Sequence, residues 1–241
     1  MININKLKEE QERLAGKIIL TDQFEKIEKI AGIDFIYTNE EIICSIVVID
    51  FKTLKVFESK HDIQTQSFPY IPGFLDYRVA LVTQKAFEKL NIKPDIAMIS
   101  ANGIMHPRKF GAASSLGLFL DVPTIGITKK KLCGYEVGDS VYIDKEVVGK
   151  IIETKEKAKP IYVSQGHRIS LKTMMEIVKE MMKGHKLPEP LYLAHKYGNK
   201  VKAKITAAHD KDPKAPDETN TINIDEDDKK ESDDKENKML L

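Results

Sequence analysis

Three runs with strand character follow one another with almost nothing between them: Lys29 to Tyr37 ("KIAGIDFIY"), Ile42 to Phe51 and Leu54 to Ile63. The connections "TNEE" and "DFKT" are far shorter than the roughly twelve residues that a parallel crossover needs, so these strands must pair antiparallel as a meander. An amphipathic helix over residues 4–15 precedes them. After "SFPYIPG" the period changes, and Leu75, Val79, Val82, Ala86 and Leu90 form an apolar stripe at helical spacing. Pro94 ends that helix, and a short strand follows over Asp95 to Ser100. A helix at Ala112 to Leu120, a strand at Thr124 to Thr128, a hairpin-like region at Val141 to Thr154 and a strand at Pro160 to Ser164 come next. A methionine-rich helix from Leu171 to Met182, stopped by Gly184, completes the core. Three antiparallel strands followed by alternating helices and strands is an α/β plan with a mixed sheet.

With 241 residues, 41% of them apolar, the chain can bury one sizeable core. Cys44 and Cys133 have no C-x-x-C spacing, which argues against a disulfide framework or a zinc site and for a reducing, cytoplasmic setting. The N-terminal "MININKLKEEQERLAGK" has no apolar core of leader length, and the longest apolar runs are too short to span a bilayer, so no membrane association is expected. The net charge of +1 conceals an asymmetry, because residues 205–241 carry twelve Asp and Glu against six Lys. A domain over 1–207 with a basic surplus, followed by a disordered acidic tail over 208–241, is the organisation this predicts. The basic surplus suits a polyanionic partner such as nucleic acid, although lysines also serve simply as solubilising residues.

Several polar residues stand out from this plan. Asp34 interrupts an apolar strand, on the face of Gly32 and Ile36, and an ionised carboxylate within a sheet needs a cation or several donors. It is either one half of a buried ion pair or a ligand. In "FPYIPGF", Pro69 and Pro72 stiffen the backbone around Tyr70 and Ile71, and Gly73 frees it, so a ring is held either packed on the turn or exposed as a wedge against stacked bases. In "MISANGIMHPRKFG" a buried strand breaks into a glycine turn at Gly103 before His106, Pro107, Arg108 and Lys109, yet offers nothing stronger than Ser100. In "YVSQGHRIS" a strand ends at Gly166, His167 and Arg168 before a helix whose N-cap is Ser170. His167 there is either structural or positioned to orient a water or a phosphate. Lys129 to Lys131, directly after "TIGIT", are either a solvated run or positive charge for the same sheet edge.

Taken together, "IAGIDFIY", "PYIPGFL", "NGIMHPRKFG", "LDVPTIGITKKKLCG", "YVSQGHRIS" and "KLPEPLYLAH" resemble the segments of the endonuclease V family and occur in that family's order, from about residue 30 to residue 196. The resemblance implies a ribonuclease H-like fold and Mg²⁺-dependent hydrolysis of the phosphodiester 3′ to a deaminated base, chiefly inosine, in DNA or RNA, by a monomer. By position, Asp34 matches the family's first metal ligand, Tyr70 its strand-separating wedge, Lys129 its active-site lysine and His167 its active-site histidine. Pro69, Ile71, Pro72, Gly73 and Leu75 match the wedge and base-pocket segment, and Gly103 and His106 the turn after the fourth strand.

The departures are specific. Family members have Arg-Glu where this chain has Arg78-Val79, and an Asp-Gly-x-Gly turn where it has Ser100-Ala101-Asn102-Gly103. Ser115 replaces a further histidine. Two of three metal-site carboxylates are thus absent, with Asp76, Ser100 and Asn102 as the substitute oxygens within reach of the sequence. Two readings follow: a nuclease with weak or altered hydrolysis, or an inactive homologue that still binds inosine-containing or distorted nucleic acid. The acidic tail is expected to compete with nucleic acid for the basic body. Deleting residues 208–241 should therefore tighten binding of an oligonucleotide at low salt and leave it unchanged at high salt, and an affinity indifferent to the deletion at every salt concentration would dismiss that competition.

Overall fold

The computed structural model describes residues 2–154 and 159–211. The N-terminal helix α1 (Ile4–Ala15) is capped by Asn3, whose side chain accepts from the Lys6 amide. The meander is present as read, with β1 (Lys29–Tyr37), β2 (Glu41–Asp50) and β3 (Val56–Thr65) joined antiparallel. Then α2 (Leu75–Glu88) crosses over to β4 (Ile96–Ile99), which runs parallel to β1, and α3 (Ala112–Leu120) to β5 (Thr124–Thr128), parallel to β4. The hairpin-like region is a larger extension of three antiparallel strands, β6 (Tyr135–Val137), β7 (Ser140–Ile143) and β8 (Glu146–Ile152). Finally β9 (Ile161–His167) inserts between β5 and β8, antiparallel to both. One nine-stranded mixed sheet results, in the order β3-β2-β1-β4-β5-β9-β8-β7-β6.

Helices cover both faces. On one, α2 and α3 pack Val79, Val82, Ala86 and Leu116 against Ala31, Ile33 and Phe35. On the other lie α4 (Leu171–Glu180), capped by Ser170, and a long helix, α5 (Glu189–Lys211), that the sequence reading did not contain. Leu191, Ala194, Tyr197 and Val201 of α5 join Ile30 and Ile36 in a second apolar layer. Their recurrence every three to four residues was the available signal, obscured by two prolines at its start and by Gly198. Because α5 continues to Lys211, ordered helix runs past residue 207, where the tail was expected to begin; residues 212–241 lie outside the described residues. Among the described residues, no helix is long and apolar enough to cross a membrane.

The room left beside Asp34 by Gly32 is filled by α5. A Cβ added at Gly32 would sit 1.9 Å from the carbonyl oxygen of Pro190, and one at Gly198 would meet the Ser45 hydroxyl at 2.7 Å. Ser45, opposite Asp34 in the β1–β2 register, donates its hydroxyl to the Ala194 carbonyl at 2.8 Å. At Gly32 the helix thus lies directly on the strand backbone, and at Gly198 its own backbone rests on the Ser45 and Ile36 side chains. The substitution Gly32→Ala should cost about 3 kcal/mol or more in a urea melt, since backbone and not a flexible side chain blocks the methyl. An unchanged melting curve would show that α5 is not held by this contact.

Candidate functional site

Strands β1, β4 and β5 are parallel, so their carboxyl ends emerge at one edge of the sheet. The pairing of Ile33 with Ile99 carries on one step, the Ser100 amide donating to the Ile33 carbonyl at 2.9 Å, which sets Ser100 beside Asp34. Lys129 follows β5 at the same edge and is exposed. Open α/β sheets present ligand-binding groups at such an edge.

The Asp34 carboxylate is almost fully buried, and its partner is His195 of α5: Nδ1 lies 2.7 Å from Oδ2. An ionised carboxylate can only accept, so Nδ1 is the donor of this hydrogen bond. His195 stands in the quoted "KLPEPLYLAH" but had no assigned role; its place one residue after Ala194 on the buried stripe of α5 was the signal. Of the partners the sequence left open for Asp34, the geometry supplies a hydrogen-bonded imidazole.

The expected metal set does not assemble. Val79 is fully buried in the α2 layer, on the face of the sheet opposite Asp34. Asp76 is turned to α1, accepting from the Gln11 amide at 2.8 Å. Ser100 offers only a neutral hydroxyl. Among the described residues no group of three His, Cys, Asp or Glu side chains is placed to hold a metal ion. Magnesium requires several hard, mostly anionic oxygens, so the donor set of this edge does not fit it.

The segment expected to act as a wedge is built firmly. Gly73, at φ 80°, presents its carbonyl to three donors: Gln11 Nε2 at 3.2 Å, His106 Nε2 at 3.1 Å and Arg108 Nη2 at 2.8 Å. Tyr70 stands 73% exposed at the tip, and Pro69 beside it is exposed as well. The Arg78 guanidinium lies 5.9 Å from the centre of the Tyr70 ring and 5.1 Å from that of Tyr37, at the end of β1, so the wedge is tied to the strand of Asp34. Behind the ring a cavity of about 110 Å³ is lined by Tyr70, Ile71, Pro72, Gly73, Leu75 and His106, with Asn102 and Leu132. That is room for one flat ring system and far below the roughly 300–1,000 Å³ of a drug-sized site.

Two expected site residues stand elsewhere. His167 pairs with Thr124, at the start of β5, and so lies at the opposite end of that strand from Lys129. It is buried, its Nδ1 accepts from the Ile19 amide at 3.3 Å, and burial and Arg168 lower its pKa, so it remains a neutral pin for the segment after α1. Arg168 pairs with Asp121 at 2.6 Å. Gly103 is buried behind the pocket wall, where an added Cβ would meet the Gln165 carbonyl oxygen at 2.0 Å; its glycine serves packing and not ligand contact. Asp34, Lys129, Tyr70 and the pocket share one edge, as Asn102, two residues past Ser100, lines the cavity and takes a hydrogen bond from Thr128 at 3.4 Å.

The mixed sheet, its covering helices and this edge define a ribonuclease H-like α/β protein. The sequence model of the Endonuclease V family matches residues 12–196. Endonuclease V of Dictyoglomus thermophilum is 43% identical over 199 residues, covering 79% of this chain and 87% of that one, and that of Gloeobacter violaceus is 36% identical over 207 residues, covering 80% and 84%. The crystal structure of Bacillus subtilis endonuclease V superposes with a TM-score of 0.80 at 29% identity, covering 87% of this chain and 96% of that one. Ciona intestinalis endonuclease V, solved with a 24mer DNA containing an inosine followed by a ribo-adenosine, gives 0.75 at 29% identity, covering 84% and 98%. The chain belongs to the endonuclease V family.

The network around Gly73 titrates in opposing directions. Burial and the Arg108 charge push the pKa of His106 down to about 4, whereas burial pushes that of Asp76 up to about 6. Below pH 6.5 the unfolded chain protonates His106 while the folded chain does not, so this residue removes stability as pH falls toward 4. Between pH 6 and 3.8 the folded chain protonates Asp76 first, which adds stability over nearly the same window. Asp76→Asn should therefore expose a loss of up to about 1.4 kcal/mol per pH unit on acidification from 6.5 to 4. His106→Gln should reverse the slope, and urea midpoints that track the wild-type profile in both variants would overturn this pairing.

Proposed function

We propose that this protein is a nuclease of the endonuclease V type, acting on DNA or RNA that contains a deaminated base such as inosine and hydrolysing the phosphodiester 3′ to it with weakened activity. The observation that carries the reading is the exposed Tyr70 ring standing over a cavity sized for one base, at the sheet edge that bears Asp34 and Lys129. Tyr70 enters between stacked bases, and the displaced base turns into the pocket. There the neutral His106, its Nε2–H committed to the Gly73 carbonyl, forms a polar wall without charge. Lys129 supplies positive charge toward the phosphate, and Asp34 orients His195 so that Nε2 can take a proton at this edge. The Ciona relative bound to inosine-containing DNA supports the substrate class. Metal ions supply the attacking water in related sites, but the residues of this edge do not fit one, and this is why the activity is expected to be weak.

A second reading, recognition without cleavage, is favoured by Val79 alone, since its side chain is committed to the apolar layer and nothing in the wedge or pocket needs a metal. Cleavage and binding of one inosine-containing oligonucleotide, measured together with Mg²⁺ or Mn²⁺, separate the two. The nuclease reading expects slow cleavage that disappears in Asp34→Ala, and binding that Tyr70→Ala weakens about tenfold through the loss of base stacking. Binding sensitive to Tyr70→Ala with no cleavage would establish the second reading, and equal affinity for inosine-containing and ordinary oligonucleotides would overturn both.

A further inference from the structure

A second cavity, of about 480 Å³, opens between α1, α2 and α3, and nothing in the nuclease reading uses it. Its volume falls within the roughly 300–1,000 Å³ of small-molecule sites. Leu14, Ala80, Leu116 and Phe119 give it apolar walls, and its charged groups are two carboxylates, Glu10 and Asp76. No lysine or arginine lines it. Glu10 accepts from the Tyr77 hydroxyl at 2.8 Å. The guanidinium that Asp76 feels most, Arg108, commits its donors to Gln11 at 2.6 Å and to the Gly73 carbonyl at 2.8 Å. An apolar chamber with acids as its only charges suits a cation that carries an apolar body.

We propose that this cavity binds an amphipathic amine, with the ammonium against Glu10 and Asp76 and the aliphatic or aromatic body against Leu14, Ala80 and Phe119. The site is coupled to the wedge. Gln11 is the one buried residue of α1, and it holds both Asp76 and the Gly73 carbonyl. Asp76 lines this cavity and the base pocket alike. An occupant that seats α1 on α2 and α3 therefore stiffens the loop that carries Tyr70.

Calorimetry on the full chain with phenethylamine and with the neutral phenethyl alcohol tests the assignment, and it needs no nucleic acid, so its outcome is independent of the nuclease reading. The amine is expected to bind once and at least about tenfold tighter than the alcohol, the worth of a charge-assisted hydrogen bond. Glu10→Gln should narrow the amine's advantage over the alcohol, and Leu14→Trp, which fills the chamber, should block both. Amide hydrogen exchange over residues 68–76 should slow when the amine is present. Equal affinity of amine and alcohol, binding indifferent to both substitutions, or no binding at all would overturn the site, and unchanged exchange in the presence of bound amine would overturn its coupling to the wedge.

Discussion

The close approach of α5 to β1 governs the geometry of the sheet edge. With Gly32 at van der Waals distance from the backbone at Pro190 and Gly198 against Ser45, the helix has no freedom to slide along the strand, and five residues beyond Pro190 it delivers His195 to Asp34. A carboxylate nearly closed off from water would otherwise be costly at this position. The imidazole makes it tolerable, and the carboxylate in turn holds the ring through Nδ1. The Asp34–His195 contact thus depends on two missing methyl groups.

The loop of Tyr70 and the sheet edge beside Asp34 are built differently. Around Gly73 three donors converge on one carbonyl, from α1, from the turn after β4 and from the chain beyond it, and the loop they hold keeps both an exposed ring and a cavity behind it. Across the sheet, Val79, where the resemblance led to the expectation of a carboxylate, lies in one apolar layer with Ile33 and Phe35. The loop of Tyr70 is held by shape and by hydrogen bonds to backbone, whereas the sheet edge beside Asp34 gathers no cluster of negative charge among the described residues.

The meander, α2, α3 and β5 were legible because each has a clear period and a short or proline-marked connection. The β6–β8 extension was only partly so, since its first strand has three exposed residues and no alternation to read. Helix α5 was missed because prolines and a glycine broke its stripe, and with it went His195. The error over His167 is of another kind. A histidine at a strand end looks the same in sequence at either edge of a sheet, and only the antiparallel register of β9 against β5 shows that it lies at the far one. Gln11 gave no signal at all: one polar residue in a charged helix becomes a hub solely through what α2 and Arg108 bring to it.

The burial of Val79 also bears on where negative charge can be added to this fold. A carboxylate placed at that position would enter the apolar layer of Ala31, Ile33 and Phe35 and lose its hydration there. Ser100, only partly buried beside Asp34, is the position where the same charge would keep contact with water.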